Sequence, residues 1–152
     1  MSEFEPAHPD YEASVRAMFD SQAFMAHLGA TLGAIAPGRA EIRLPFRREH
    51  TQQDGYVHGG IIATLADNAC GAACYTLLPR GQGVLTVEFK VNLLAPAWGE
   101  ALLSRGAVLK PGRTLFVCRA EVLACRGEAL ELCAIGMMTA RVVRPGAGRR
   151  GR

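Results

Sequence analysis

The stretch His58-Gly59-Gly60-Ile61-Ile62-Ala63-Thr64-Leu65-Ala66-Asp67-Asn68-Ala69-Cys70-Gly71-Ala72-Ala73-Cys74-Tyr75 decides the fold. It is too long for a strand and is built mainly of Ile, Leu, Ala, Cys and Gly, so it reads as a helix. It is apolar nearly all round, which means other elements must enclose it rather than leave it on a surface. Asp67 and Asn68 are its only strongly polar interior residues.

Downstream the period changes from helical to alternating. Leu85, Val87, Phe89, Val91 and Leu93 alternate with Thr86, Glu88, Lys90 and Asn92, the pattern of a half-buried strand. Three more strands fit Ala101 to Lys110, Thr114 to Ala124 and Ala129 to Val143. The connections between these three, Lys110-Pro111-Gly112-Arg113 and Cys125-Arg126-Gly127-Glu128, are short enough for antiparallel hairpins. Upstream, Ala30 to Ala36 and Ala40 to Phe46 read as two strands turning at Pro37-Gly38. Before them Val15, Met18, Phe19 and Phe24 predict one amphipathic lead-in helix from about Asp10 to Met25, with Gly29 and Gly33 breaking it. The order is helix, two strands, buried helix, then four strands without intervening helices. It predicts an α+β fold in which an antiparallel sheet wraps one long helix. A doubly wound parallel sheet would need helices after Pro96.

The chain's 152 residues and 49% hydrophobic content suit one domain, expected over residues 10–143. The formal charge is +3, but Arg144 to Arg152 contain four arginines and no acid. Without them the body carries −1, which excludes a basic nucleic-acid platform. That tail, residues 144–152, cannot bury apolar surface and is expected to be disordered. With no signal-peptide pattern and no apolar run of membrane-spanning length, a soluble cytoplasmic protein without a membrane partner is expected. The five cysteines are odd in number and form no CxxC pair, which argues against a disulfide framework or zinc site and for small core side chains.

The segment His50-Thr51-Gln52-Gln53-Asp54-Gly55-Tyr56-Val57-His58-Gly59-Gly60, with Asp67 seven residues on, resembles the signature of hotdog-fold acyl-CoA thioesterases of the phenylacetic acid degradation type. Gly83 to Leu93, then Ala95-Pro96-Ala97, is similar to that family's central strand, and the resemblance runs from roughly residue 25 to 143. It implies that the Gly59 N–H stabilises the oxyanion and that Asp67 acts as general base or nucleophile. Gln52 stands where many members carry Asn, and Thr86 where relatives use Ser or Thr to assist the water. His58, Gly60, Asn68, Arg113 and Lys90 are candidate substrate-binding residues, with His58 also suited to cap or orient the helix entry and the two basic residues suited to coenzyme A phosphates. The resemblance implies no metal and no cofactor beyond the coenzyme A of the substrate, and dimers that pair into tetramers.

Physical chemistry supports these roles independently. Helix N-terminal N–H groups lack intrahelical partners and sit at the positive end of the helix dipole, so they suit a developing oxyanion. A carboxylate in an apolar helix is costly unless paired or used. A thiolate leaves without a strong general acid, because a thiol has a pKa of about 8.5. Gly59 and Asp67 lie eight residues apart, roughly 12 Å along one helix at 1.5 Å per residue, so the two cannot reach the same carbonyl. A two-fold interface that brings one subunit's helix start to another's Asp67 resolves this.

Two other readings compete. His-Gly-Gly also occurs in the oxyanion loops of some esterases, but the chain has no GxSxG elbow. A hotdog module that binds acyl-CoA without turnover, as a sensor or carrier, is the alternative from a different class.

Overall fold

The computed structural model describes residues 4–144; of the tail expected to be disordered, 144–152, all but Arg144 lies outside them. Two short helices, α1 (Tyr11–Asp20) and α2 (Ala23–Leu28), precede strands β1 (Thr31–Ala36) and β2 (Arg39–Pro45). A 3-10 turn (Arg48–His50) leads to the long helix α3 (Gly59–Tyr75). Four strands follow: β3 (Gly83–Leu93), β4 (Ala101–Pro111), β5 (Leu115–Arg126) and β6 (Ala129–Val143).

All six strands form one antiparallel sheet in the order β1-β2-β4-β5-β6-β3. The sheet curls around α3, whose Ile62, Leu65, Ala66, Ala69, Cys70, Ala72, Ala73 and Cys74 are buried. The helix sits very close to the strands. A side chain at Gly106 of β4 would strike the Ala69 carbonyl oxygen at 2.2 Å, and one at Gly136 of β6 would meet the Ala66 Cβ at 3.2 Å. Glycine at these positions allows the approach. The inward residues of β5, among them Phe116, Cys118, Ala120 and Val122, complete the core.

Two expectations need correction. The lead-in is two helices, not one. The Ser21 and Gln22 N–H groups bond back to Ala17 and Phe19 and close α1, and Gln22 then turns to extended backbone. Val15 and Phe19 of α1 are buried in the core that α3 shares, and Gly29, at φ 76°, ends α2. The second correction concerns β3. Its predicted simple alternation is interrupted by a bulge between Thr86 and Glu88. Thr86 lies opposite Ala140 and Phe89 opposite Met138, both buried, so Thr86 and Phe89 share the helix side although Phe89 is three positions, an odd step, beyond Thr86. Leu85 lies opposite the exposed Arg141 and faces away from the helix. The strand is not half-buried. Leu85 is 62% exposed and Phe89 51%.

Candidate active site

The loop before α3 is held by its own backbone. Gln52 N–H donates to the Tyr56 carbonyl at 2.9 Å, Gly55 N–H donates to Gln52 at 3.1 Å, and Gly55 takes φ 85° to make the turn. Val57 N–H is anchored on Ala97 and His58 N–H on the His50 carbonyl, both at 2.8 Å. The helix therefore starts at a fixed point, beside the segment that follows β3.

At that start His58 acts as the N-cap. Its Nδ1 accepts from Gly60 N–H at 2.9 Å, which leaves the ring proton on Nε2. The His58 carbonyl takes the N–H groups of Ile61 and Ile62, at 2.9 and 3.3 Å. Gly59 N–H has no hydrogen bond among the described residues, so it is the first-turn donor left for a ligand. It opens into a cleft of about 350 Å³ lined by Gln52, Tyr56, Gly59, Ile62, Leu93 and Pro96. A Cβ at Gly59 would come within 3.1 Å of Leu93. The Gln52 side chain accepts from Asp54 N–H, which fixes it at the rim.

Asp67 lies two turns further along α3, half-buried beside a narrow crevice formed with Cys70, Phe89, Val91 and Met138. Thr86 Oγ1 donates to Asp67 Oδ1 at 2.8 Å. This contact exists because the bulge turns Thr86 toward the helix. Asn68, the next residue, is engaged elsewhere: its Nδ2 donates to Gln22 Oε1 at 2.6 Å, tying the α1–α2 junction to α3.

The structure thus gathers the expected residues into two groups, Gln52 with Gly59 and Gly60 behind His58, and Asp67 with Thr86. It brings Lys90 and Arg113 to neither. Lys90 lies opposite Met137 on the outer side of β3, and Arg113 sits in the β4–β5 turn. That turn is at the Leu85 end of the sheet, because Leu115 and Leu85 both pair with Arg141. The cleft is at the Leu93 end. The cleft residues Tyr56, Leu93, Leu94 and Pro96 were not singled out in the sequence; the signal available was an apolar strand end running into a proline. A larger cavity, about 480 Å³, lies across the outer sheet face. It contains none of the signature residues; its lining holds two ion pairs, Arg105 with Glu41 at 2.8 Å and Arg119 with Glu121 at 2.6 Å, beside Arg39.

A long helix cradled by an antiparallel sheet is the hotdog architecture. The thioesterase superfamily profile matches residues 54–131. Acyl-coenzyme A thioesterase 13 of Homo sapiens is 35% identical over 103 residues, 66% of this chain and 73% of its own. A thioesterase family protein from Silicibacter pomeroyi has a similar structure, with TM-score 0.86, 43% identity and coverage of 88% of this chain and 98% of that one. The Escherichia coli PaaI protein from the phenylacetic acid degradation operon shares the fold at TM-score 0.80 and 18% identity, over 91% of this chain and 96% of its own. The chain belongs to the thioesterase superfamily and is a thioester hydrolase with the hotdog fold. Among the described residues no helix is long and apolar enough to cross a membrane.

Proposed function

We propose that the protein hydrolyses acyl-CoA thioesters to the free acid and coenzyme A, as a member of the phenylacetic acid degradation type. The single observation that carries the mechanism is the separation of an unpaired Gly59 N–H from the Thr86-bonded Asp67 on one helix. Each is half of a site.

The open edge of β3 supplies the means of joining the halves. Among the described residues β3 pairs only with β6, and Leu85, Val87, Phe89 and Leu93 are each more than half exposed. Unpaired edges with apolar side chains are templates for another strand. Antiparallel pairing with a second copy about a two-fold axis normal to the sheet keeps both helices on one face. It sets the Gly83 end of one β3 beside the Leu93 end of the other. Asp67 of the partner subunit then approaches the Gly59 cleft, and the partner's Arg113 comes to the same end, where a coenzyme A phosphate would need it. Lys90, on the outer side of β3, is a second candidate for phosphate.

In this arrangement the thioester carbonyl oxygen accepts from Gly59 N–H, and the helix dipole stabilises the charge that builds there. Gln52 holds the carbonyl or water at the rim. Asp67 takes a proton from water as it attacks, or attacks the carbonyl itself to give an anhydride that water cleaves. The C–S bond breaks and the thiolate leaves as coenzyme A. Thr86 orients the Asp67 carboxylate. No metal or cofactor enters. A coenzyme A substrate and five free cysteines fit a cytoplasmic protein.

Thiol release across short, medium, long and aryl acyl-CoAs tests this reading. Asp67→Asn is expected to lower kcat by about 10²- to 10⁴-fold while the protein stays folded. Equal rates for the two proteins would sink the mechanism. Saturable acyl-CoA binding without turnover in the unmodified protein would favour the sensor or carrier instead.

A further inference from the structure

We infer that Cys74 and Cys118 form an oxidisable pair that closes into a disulfide between α3 and β5 when the protein meets a peroxide. The two residues are 44 apart in sequence, yet their sulfurs lie 3.2 Å from each other. Both are free thiols, fully buried. A disulfide needs about 2.05 Å, so the sulfurs must close by only about 1.2 Å, within the reach of side-chain rotation.

The thiols of Cys70 and Cys74 both lie against the Cys118 sulfur, and their hydrogen bonds lower its pKa while burial acts the other way. The same contacts with Cys118, together with burial, push the Cys70 and Cys74 thiols up. At 3.2 Å either sulfur of the Cys74–Cys118 pair can donate to the other, so either can meet the peroxide first.

The step balances with a hydroperoxide as oxidant. The thiolate of one of the pair attacks one peroxide oxygen; the S–O bond forms, the O–O bond breaks, and hydroxide leaves to be neutralised as water. The other sulfur then attacks the sulfenic acid; the S–S bond forms, the S–O bond breaks, and a second water carries off its proton. The two sulfurs together lose two electrons, and the peroxide gains them. Access requires local opening, which hydrogen peroxide is small enough to exploit.

Cys74 is seven residues beyond Asp67, about 10 Å along α3. The link clamps the C-terminal half of the helix to the sheet and leaves the Asp67 carboxylate free, so it acts on stability and not on the chemistry.

Incubating the full chain with hydrogen peroxide, alkylating the remaining thiols during unfolding and mapping peptides without reduction tests this directly. The expected product is a Cys74–Cys118 linked peptide, two hydrogens lighter than its parts, in the unmodified protein and in Cys70→Ser, and absent from Cys74→Ser. The oxidised protein should gain at least about 3 °C in Tm, reversed by dithiothreitol. Met137, 41% exposed, reports in the same digest that peroxide reached the protein by becoming the sulfoxide. Alkylation of all five cysteines beside an oxidised Met137, a dominant Cys70–Cys118 link, or sulfinic acid on Cys74 or Cys118 without a link would each overturn the proposal. The map of the unmodified protein decides even if a serine variant misfolds.

Discussion

β5 and β3 flank the same strand, β6, and both are rich in apolar residues, yet they end in opposite environments. β5 has β4 on its other side and α3 across its inner face, so Phe116, Cys118, Ala120, Val122 and Ala124 are all buried. Among the described residues β3 has no strand on its other side, and none of its residues is buried. The difference is not in composition. It lies in how much of each strand one chain can cover. β5 serves the chain's own stability, whereas β3 carries more apolar surface than a single chain covers, together with the Thr86 that hydrogen-bonds Asp67.

Substitutions on the two sides should therefore fail in different ways. The largest effect is expected from Val87→Asp, which sets a carboxylate in the middle of the open edge and near its own mate in a two-fold pair. Like charges brought together in an interface cost several kcal/mol, so subunit association should weaken by about 10³-fold or more. Sedimentation should show the single chain, circular dichroism a retained fold, and hydrolysis should fall with the loss of the dimer. An active, folded monomer would show that one chain holds a whole site. Next is Gly106→Ala on the packed side, where the added Cβ would meet the Ala69 carbonyl oxygen at 2.2 Å. Denaturant unfolding should show a loss of about 3 kcal/mol, with kcat of the folded fraction little changed. The smallest effect belongs to Thr86→Val, which removes the 2.8 Å hydrogen bond to Asp67 at almost constant volume. It should reduce kcat by about 10-fold, equivalent to about 1.4 kcal/mol, and leave association intact.

Much of this architecture could be read from residue pattern. The all-round apolarity of α3 demanded enclosure, and the Gly-containing connections after β4 and β5 set the hairpins. The cap also followed locally, because His58 stands directly before two glycines at the helix start. What escaped were features set by partners distant in sequence. The break at Ser21-Gln22 is fixed partly by Asn68, 46 residues away from Gln22, and helical periodicity runs through it unmarked. The bulge in β3 reverses the phase of an otherwise regular alternation, so a strand that looked half-wet with Thr86 on the wet side turns that hydroxyl to the helix. Alternation alone also cannot tell a face covered by its own chain from one left open. Lys90 and Arg113 were drawn from charge alone, and charge carries no information about which end of a sheet a residue occupies.

The glycine seats at Gly106 and Gly136 have a further implication for how such a protein can diversify. With α3 resting on strand backbone there is no slack in which to slide or tilt it, so the positions of Gly59 and Asp67 are inherited as a unit. Variation that changes what is accepted must then collect at the lip formed by Tyr56, Leu93, Leu94 and Pro96, and at the Gln22–Asn68 tether. There, side chains can change size without shifting Gly59 or Asp67.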